Sequence, residues 1–129
     1  MGNGFVLDSS ALLASLFDEP GAAITDAALA HAAMSALNYS EVIAKQVRRG
    51  EDLEAAIRIV DDLDLPIIPW DAGLAGEASD LSPLAWTHGL SLGDRACLAT
   101  ARHLNRTALT AERRWRDLPD LGIAIKIIR

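Results

Sequence analysis

Apolar positions recur along this chain with two periods, one that suits strands and one that suits helices. Phe5-Val6-Leu7 is a short apolar run that stops at Asp8, and it predicts a buried strand. Asp8, Ser9 and Ser10 can cap a helix over residues 11–17, which Asp18-Glu19-Pro20-Gly21 ends. The Ala-rich residues 22–31 predict a second helix. Ala33-Met34-Ser35 is a short candidate strand, and a helix over 37–49 follows, closed by Gly50. Leu53, Ala56, Ile57, Val60 and Leu63 fall at helical spacing and form one apolar stripe. Residues 65–69 read as a third strand flanked by proline. Asp71 can cap a helix whose stripe is Leu74, Ala75, Ala78 and Leu81. Residues 82–93 hold Pro83, Gly89 and Gly93 and read as loop. Asp94 opens a helix that runs to about Leu104, and residues 107–110 and 123–128 are the fourth and fifth strands. No repeat or low-complexity linker breaks the series.

Strands that alternate with helices predict an α/β sandwich around a mostly parallel five-stranded sheet. In such a sheet the loops at the carboxyl ends of the strands share one edge, and ligands bind where the strand order reverses. One element departs from this economy. Ala11-Leu12-Leu13-Ala14-Ser15-Leu16-Phe17 is apolar almost all round, whereas a helix lying on a sheet needs a single apolar stripe. The surplus calls for a neighbouring helix, a second copy of the chain, or another protein as cover.

Composition narrows the class. A length of 129 residues predicts one domain over 1–129, and 50% hydrophobic residues supply a core that is aliphatic because aromatics are only 5%. No run approaches a membrane span, and the start lacks the charge-then-apolar order of a signal peptide. The single Cys97 allows no internal disulfide, so a cytoplasmic protein is expected. The net charge of -6 looks wrong for a nucleic-acid binder, but it is unevenly spread. Residues 1–94 carry 4 basic and 15 acidic side chains, and residues 95–129 carry 8 basic and 3 acidic. Arg95, Arg102, Arg106, Arg113, Arg114, Arg116 and Lys126 can therefore form a phosphate-attracting surface, or simply a solvated basic face.

The carboxylates carry the chemistry. Asp8 follows strand one, Glu41 lies in the helix after strand two, Asp94 stands at a helix start, and Glu112 follows strand four. A parallel sheet brings all four to one edge. Converging carboxylates repel one another and are costly to bury unpaired. A hard divalent cation such as Mg²⁺, or Mn²⁺, removes that cost, activates a water and offsets charge on a phosphodiester. Each residue also has a plainer reading: Asp8 and Asp94 as helix caps, Glu41 as a solvated helix residue, Glu112 as a partner of Arg113 or Arg116. His31, His88 and His103 show no ligand spacing, and Cys97 among Ala96, Leu98 and Ala99 reads as core. Trp70, Trp86 and Trp115 could stack on bases, with packing or partner contact the plainer role.

Four segments, in order and spacing, resemble the motifs of PIN-domain nucleases: Val6-Leu7-Asp8-Ser9-Ser10-Ala11-Leu12, Asn38-Tyr39-Ser40-Glu41-Val42, Leu90-Ser91-Leu92-Gly93-Asp94-Arg95-Ala96-Cys97-Leu98-Ala99, and Leu109-Thr110-Ala111-Glu112-Arg113-Arg114-Trp115. The short length and the third motif resemble the VapC-type toxins in particular. The resemblance implies a PIN-like α/β/α sandwich and a metal-dependent endoribonuclease that is held by a cognate antitoxin and forms a homodimer. It implies Asp8, Glu41, Asp94 and Glu112 as the metal-binding and catalytic set. It also implies Thr110 near a metal water or phosphate, with Ser9 in a similar place. The fourth motif commonly carries Asp where this chain has Glu112, and Asp117 is a candidate substitute. Arg113, Arg114 and Arg116 are expected to bind RNA phosphates beside the site.

Other classes share this pattern. A phosphorylation-dependent receiver domain would use Asp71 as its phosphoacceptor, but no acidic pair closes strand one and Lys126 lies inside the last strand. A phosphatase with an Asp nucleophile usually needs a second Asp where this chain has Ser10. A non-catalytic binding module on the same fold is opposed by the three intact acidic motifs.

Overall fold

The computed structural model describes residues 4–129, in which seven α-helices alternate with five strands. β1 (Phe5–Leu7) leads into α1 (Ser9–Leu16) and α2 (Ala22–Ala28), which ends in a 3-10 turn. β2 (Ala32–Ser35), α3 (Ala36–Arg48), α4 (Leu53–Asp61) and β3 (Ile67–Ile68) follow. Then come α5 (Ala72–Asp80), α6 (Pro83–Thr87), α7 (Leu92–Leu104), β4 (Thr107–Thr110) and β5 (Ile125–Ile127).

All four strand pairings are parallel, in the order β3-β2-β1-β4-β5. Side chains alternate across a strand, so the two faces are read from neighbouring residues. Val6 and Ala108 point to one side, into a cluster with Cys97, Leu98 and Ala101 of α7 and the buried Trp115. Leu7, Met34 and Leu109 point to the other, against Ala11 and Leu12 of α1, Val42 of α3 and Val60 of α4. Both faces are covered, which is why β1 is a continuous apolar run and not an alternating one.

The structure corrects several boundaries. β3 pairs only at Ile67 and Ile68, because Pro66 has no N–H to donate and takes part only through its carbonyl, which accepts from Met34 N at 3.0 Å. The stretch read as loop holds α6, which starts with Pro83 at a position where the missing N–H costs nothing. α7 begins at Leu92 with Ser91 as its cap, so Asp94 is the third helical residue and not the opening one. A 3-10 turn over Arg113–Asp117 has no counterpart in the expected elements.

Most of the surplus on α1 is taken up within the chain. Ala11, Leu12 and Ala14 are core residues, Leu13 and Leu16 pack on the same core, and α1 lies against α2 and α3. The Phe17 ring carries the Arg49 guanidinium 3.9 Å from its centre. Among the described residues no helix is long and apolar enough to cross a membrane.

Candidate active site

The strand order reverses at β1. The chain moves from β1 to β2 and β3 on one side, then returns to β4 and β5 on the other. The carboxyl ends of β1 and β4 therefore flank the crevice where α/β sheets place their ligands. Asp8 and Thr110 stand at those two ends. Asp8 N donates to the Leu109 carbonyl at 2.9 Å, which continues the β1–β4 ladder by one residue.

Asp8 occupies the N-cap position of α1 but makes no capping bond with its side chain. Its carboxylate turns inward, 2% exposed. Oδ2 accepts from Ser10 Oγ at 2.6 Å and from Thr110 Oγ1 at 2.9 Å. Both hydroxyls are tied to β4 in turn: Ala111 N donates to Ser10 Oγ at 2.9 Å and Glu112 N to Thr110 Oγ1 at 3.0 Å. Burial pushes the Asp8 carboxyl up from 3.8 to about 7, and the negative charges of Asp94 and Glu41 push the same way. The Ser10 and Thr110 hydroxyls, which favour the ionised form, pull it back only in part.

Glu41 lies on α3, exposed, with Oε1 accepting from Ser9 Oγ at 2.7 Å and from Asn38 Nδ2 at 3.0 Å. Asp94 closes a capping box: Ser91 Oγ accepts from Asp94 N at 3.1 Å, and Asp94 Oδ2 accepts from Ser91 N at 2.9 Å. The helix start and the site thus share one carboxylate.

Asp8, Glu41 and Asp94 come together closely enough for the latter two charges to raise the first. Glu112 follows β4, and its side chain pairs with Arg114 at 3.9 Å. Asp117 is exposed at the end of the 3-10 turn. Thr110 is fully buried, its hydroxyl joined to Asp8 and to Glu112 N, so it lies beneath the carboxylate and not on an open phosphate side. Arg113, Arg114 and Arg116 are exposed, and the Arg114 guanidinium lies beside Gly89 in the loop that leads to Asp94.

Three residues of the site escape a reading of the sequence: Ser10 as a donor to Asp8, Asn38 and Gly93. An Asn inside a helix is disfavoured unless its side chain has other work, and that is the available signal for Asn38. The remaining polar candidates lie elsewhere. Asp71 follows β3 at the edge of the sheet and caps α5 through Leu74 N at 2.9 Å. His103 stands beside Glu77, and Cys97 is buried with its thiol pushed well up by burial. Trp115 is core, whereas Trp86 is 81% exposed.

Among the described residues no three Asp, Glu, His or Cys side chains already stand at direct ligand spacing. Asp94 is folded back onto Ser91 and Glu41 onto Ser9 and Asn38. The donor set is all hard oxygen, and burying Asp8 beside two more acids is unfavourable until positive charge arrives. These residues fit a cation that keeps several of its own waters and touches few carboxylates directly, as Mg²⁺ does.

A family model described as "PIN domain" matches residues 5–121 of this chain. Solved structures share the fold at low identity. The DNA-bound VapBC from Salmonella typhimurium is similar over 100% of both chains, with a TM-score of 0.72 and 15% identity. A toxin–antitoxin complex from Klebsiella pneumoniae is similar over 98% of each chain, with a TM-score of 0.71 and 18% identity. FitAcB from Neisseria gonorrhoeae is similar over 94% of this chain and 95% of its own, with a TM-score of 0.66 and 20% identity. A search of curated proteins finds no match.

Proposed function

From the premise that this chain belongs to the PIN-domain family, we propose that it is a toxin-type endoribonuclease that hydrolyses RNA phosphodiesters and is silenced by a cognate antitoxin. The observation that carries the proposal is the gathering of Asp8, Glu41 and Asp94 where the strand order reverses, with Asp8 buried and its carboxyl raised to about 7. A cluster of this kind is unfavourable by itself and becomes favourable around a divalent cation.

In this reading Asp8, Glu41 and Asp94 hold Mg²⁺ or Mn²⁺, through its waters where a carboxylate does not reach it. The bound ion supplies an activated water and offsets charge developing on the phosphodiester. Ser10 and Thr110 fix the Asp8 carboxylate by two hydroxyl donors on one oxygen. Ser9 and Asn38 fix Glu41, and the capping box fixes Asp94. Arg113, Arg114 and Arg116 draw the RNA backbone to this edge. Glu112, which follows β4 and pairs with Arg114, is the fourth carboxylate of the set in this reading.

The antitoxin partner is supported by the toxin–antitoxin complexes that share this fold, and a homodimer is proposed with it. In this reading such contacts fall on α3 and α4. Tyr39, Ile43 and Val47 of α3 and Leu53 and Ile57 of α4 line an open apolar groove of about 470 Å³, in which Leu53 is 59% exposed. The deciding experiment incubates purified protein with RNA in Mg²⁺ or Mn²⁺ and again in excess EDTA. Cleavage with either ion and none with chelator is expected, and full cleavage in EDTA by protein free of contaminating nuclease overturns the mechanism.

A further inference from the structure

Glu41 is the acidic residue of the site least fixed by its own backbone. β2 ends at Ser35, six residues earlier, and the Glu41 side chain is exposed on α3. Its carboxylate nevertheless occupies a defined place, set by two residues from different parts of the chain. Asn38, one turn before it on α3, is fully buried. Its amide donates to Glu41 Oε1 at 3.0 Å and to the Gly93 carbonyl at 3.0 Å. The carboxylate itself lies against Gly93, where a Cβ would overlap both of its oxygens.

We infer that Asn38 is a positioning residue for Glu41, and that Gly93 is the floor of the seat into which Asn38 draws it. The two N–H groups of one planar amide join α3 to the first turn of α7, and Asp94 is the residue after Gly93. One side chain thereby sets the separation of two acidic groups that are distant in sequence. Packing does not account for Asn38. Its Oδ1 is buried without a partner, an unfavourable state that an apolar residue of similar size avoids. Rotating the amide by half a turn would aim Oδ1 at two acceptors, so only the observed orientation serves both contacts.

The consequence for catalysis rests on the cation reading above, but the seat is testable without it. Mn²⁺ binding to the purified chain is measured by calorimetry for wild type, Glu41→Gln, Asn38→Ala and Asn38→Asp. Residues that hold a ligand in place typically account for 10–100-fold in metal affinity, and about that loss is expected for both Asn38 variants. On a mixed-sequence RNA oligonucleotide kcat falls with it, while KM changes by less than about two-fold, because Asn38 does not reach the RNA-binding rim. Binding equal to wild type in a folded Asn38→Ala overturns the positioning role.

A thermal-unfolding cycle tests the floor with no metal present. Gly93→Ala should lower the Tm of the wild type by a small amount, because the Glu41 carboxylate, the free end of a flexible side chain, swings aside and gives up its hydrogen bonds from Ser9 and Asn38. In a Glu41→Ala background the same change should be neutral or raise it, since Ala favours a helix more than Gly. An equal loss in both backgrounds refutes the seat. Should the wild type take up no Mn²⁺, the cation reading fails, while this cycle still decides whether Gly93 and Glu41 are coupled.

Discussion

Replacing Asp8 by Asn removes a charge from the buried end of β1 while keeping an oxygen for the Ser10 and Thr110 hydroxyls. The folded chain holds the Asp8 proton up to about pH 7, whereas an unfolded chain releases it near 3.8. The folded state thus binds more protons between those values, and this group's contribution to stability is present below pH 3.8 and lost as pH rises through 7. A tenfold change in proton affinity is worth about 1.36 kcal/mol. On that scale the ionised carboxylate costs the metal-free fold on the order of 4 kcal/mol at pH 8 and roughly 1 kcal/mol at pH 4.5. An Asn amide that finds no acceptor returns about 1–2 kcal/mol of the gain at every pH. The signature is therefore the difference between the two pH values, roughly 3 kcal/mol, or on the order of 10 °C in Tm for a chain of this size. Urea or thermal unfolding in EDTA measures it, and the same variant should lose RNA cleavage. In saturating Mg²⁺ the wild type should gain stability that Asp8→Asn does not, about 2.7 kcal/mol at a hundred times Kd. A variant that tracks the wild type at a constant offset from pH 4.5 to 8 would refute the argument that burial and its acidic neighbours strain Asp8.

Asp94→Asn should abolish cleavage and growth toxicity while Tm moves by no more than a few degrees, because the amide oxygen still accepts from Ser91 N; toxicity retained at equal expression sinks the assignment. Neutralising Arg113, Arg114 and Arg116 together should weaken RNA binding and flatten its dependence on salt, measured by fluorescence anisotropy in an Asp94→Asn background. An unchanged slope returns them to a solvated basic face. Leu53→Asp should weaken self-association or antitoxin binding in gel filtration and leave the unfolding transition intact, whereas Leu12→Asp should unfold the chain, since Leu12 is fully buried. Equal loss of fold in both would place the α3–α4 groove in the monomer core.

What is legible in the sequence is whatever a short stretch of chain decides. Phe5-Val6-Leu7 reads as a buried strand because it is apolar on both faces, and Asp8 marks its end. The same logic locates Glu41 and Asp94, each near the sheet edge where its own helix begins. Ser91 and Asp94 have the spacing of a capping box, so the true start of α7 is also within reach. α6 is hidden when Pro83 is counted as a breaker, because it stands at a helix start. The bond from Asn38 to Gly93 spans 55 residues, and no local pattern announces it. The fate of α1 is equally non-local, since its cover depends on how α2 and α3 pack.

Thr110 lies 102 residues after the carboxylate it supports, and β1 pairs with β4 over the same gap. At a synthesis rate of roughly 5–20 residues per second, a ribosome needs about 5–20 s to make the stretch between them. During that time the amino-terminal acid has no β4 hydroxyl beside it and no second neighbour for its strand. In the nuclease reading, a chain cut short just before β4 carries Asp8, Glu41 and Asp94 without an assembled centre. In that reading, the order of the strands withholds the assembled centre until β4 has been made.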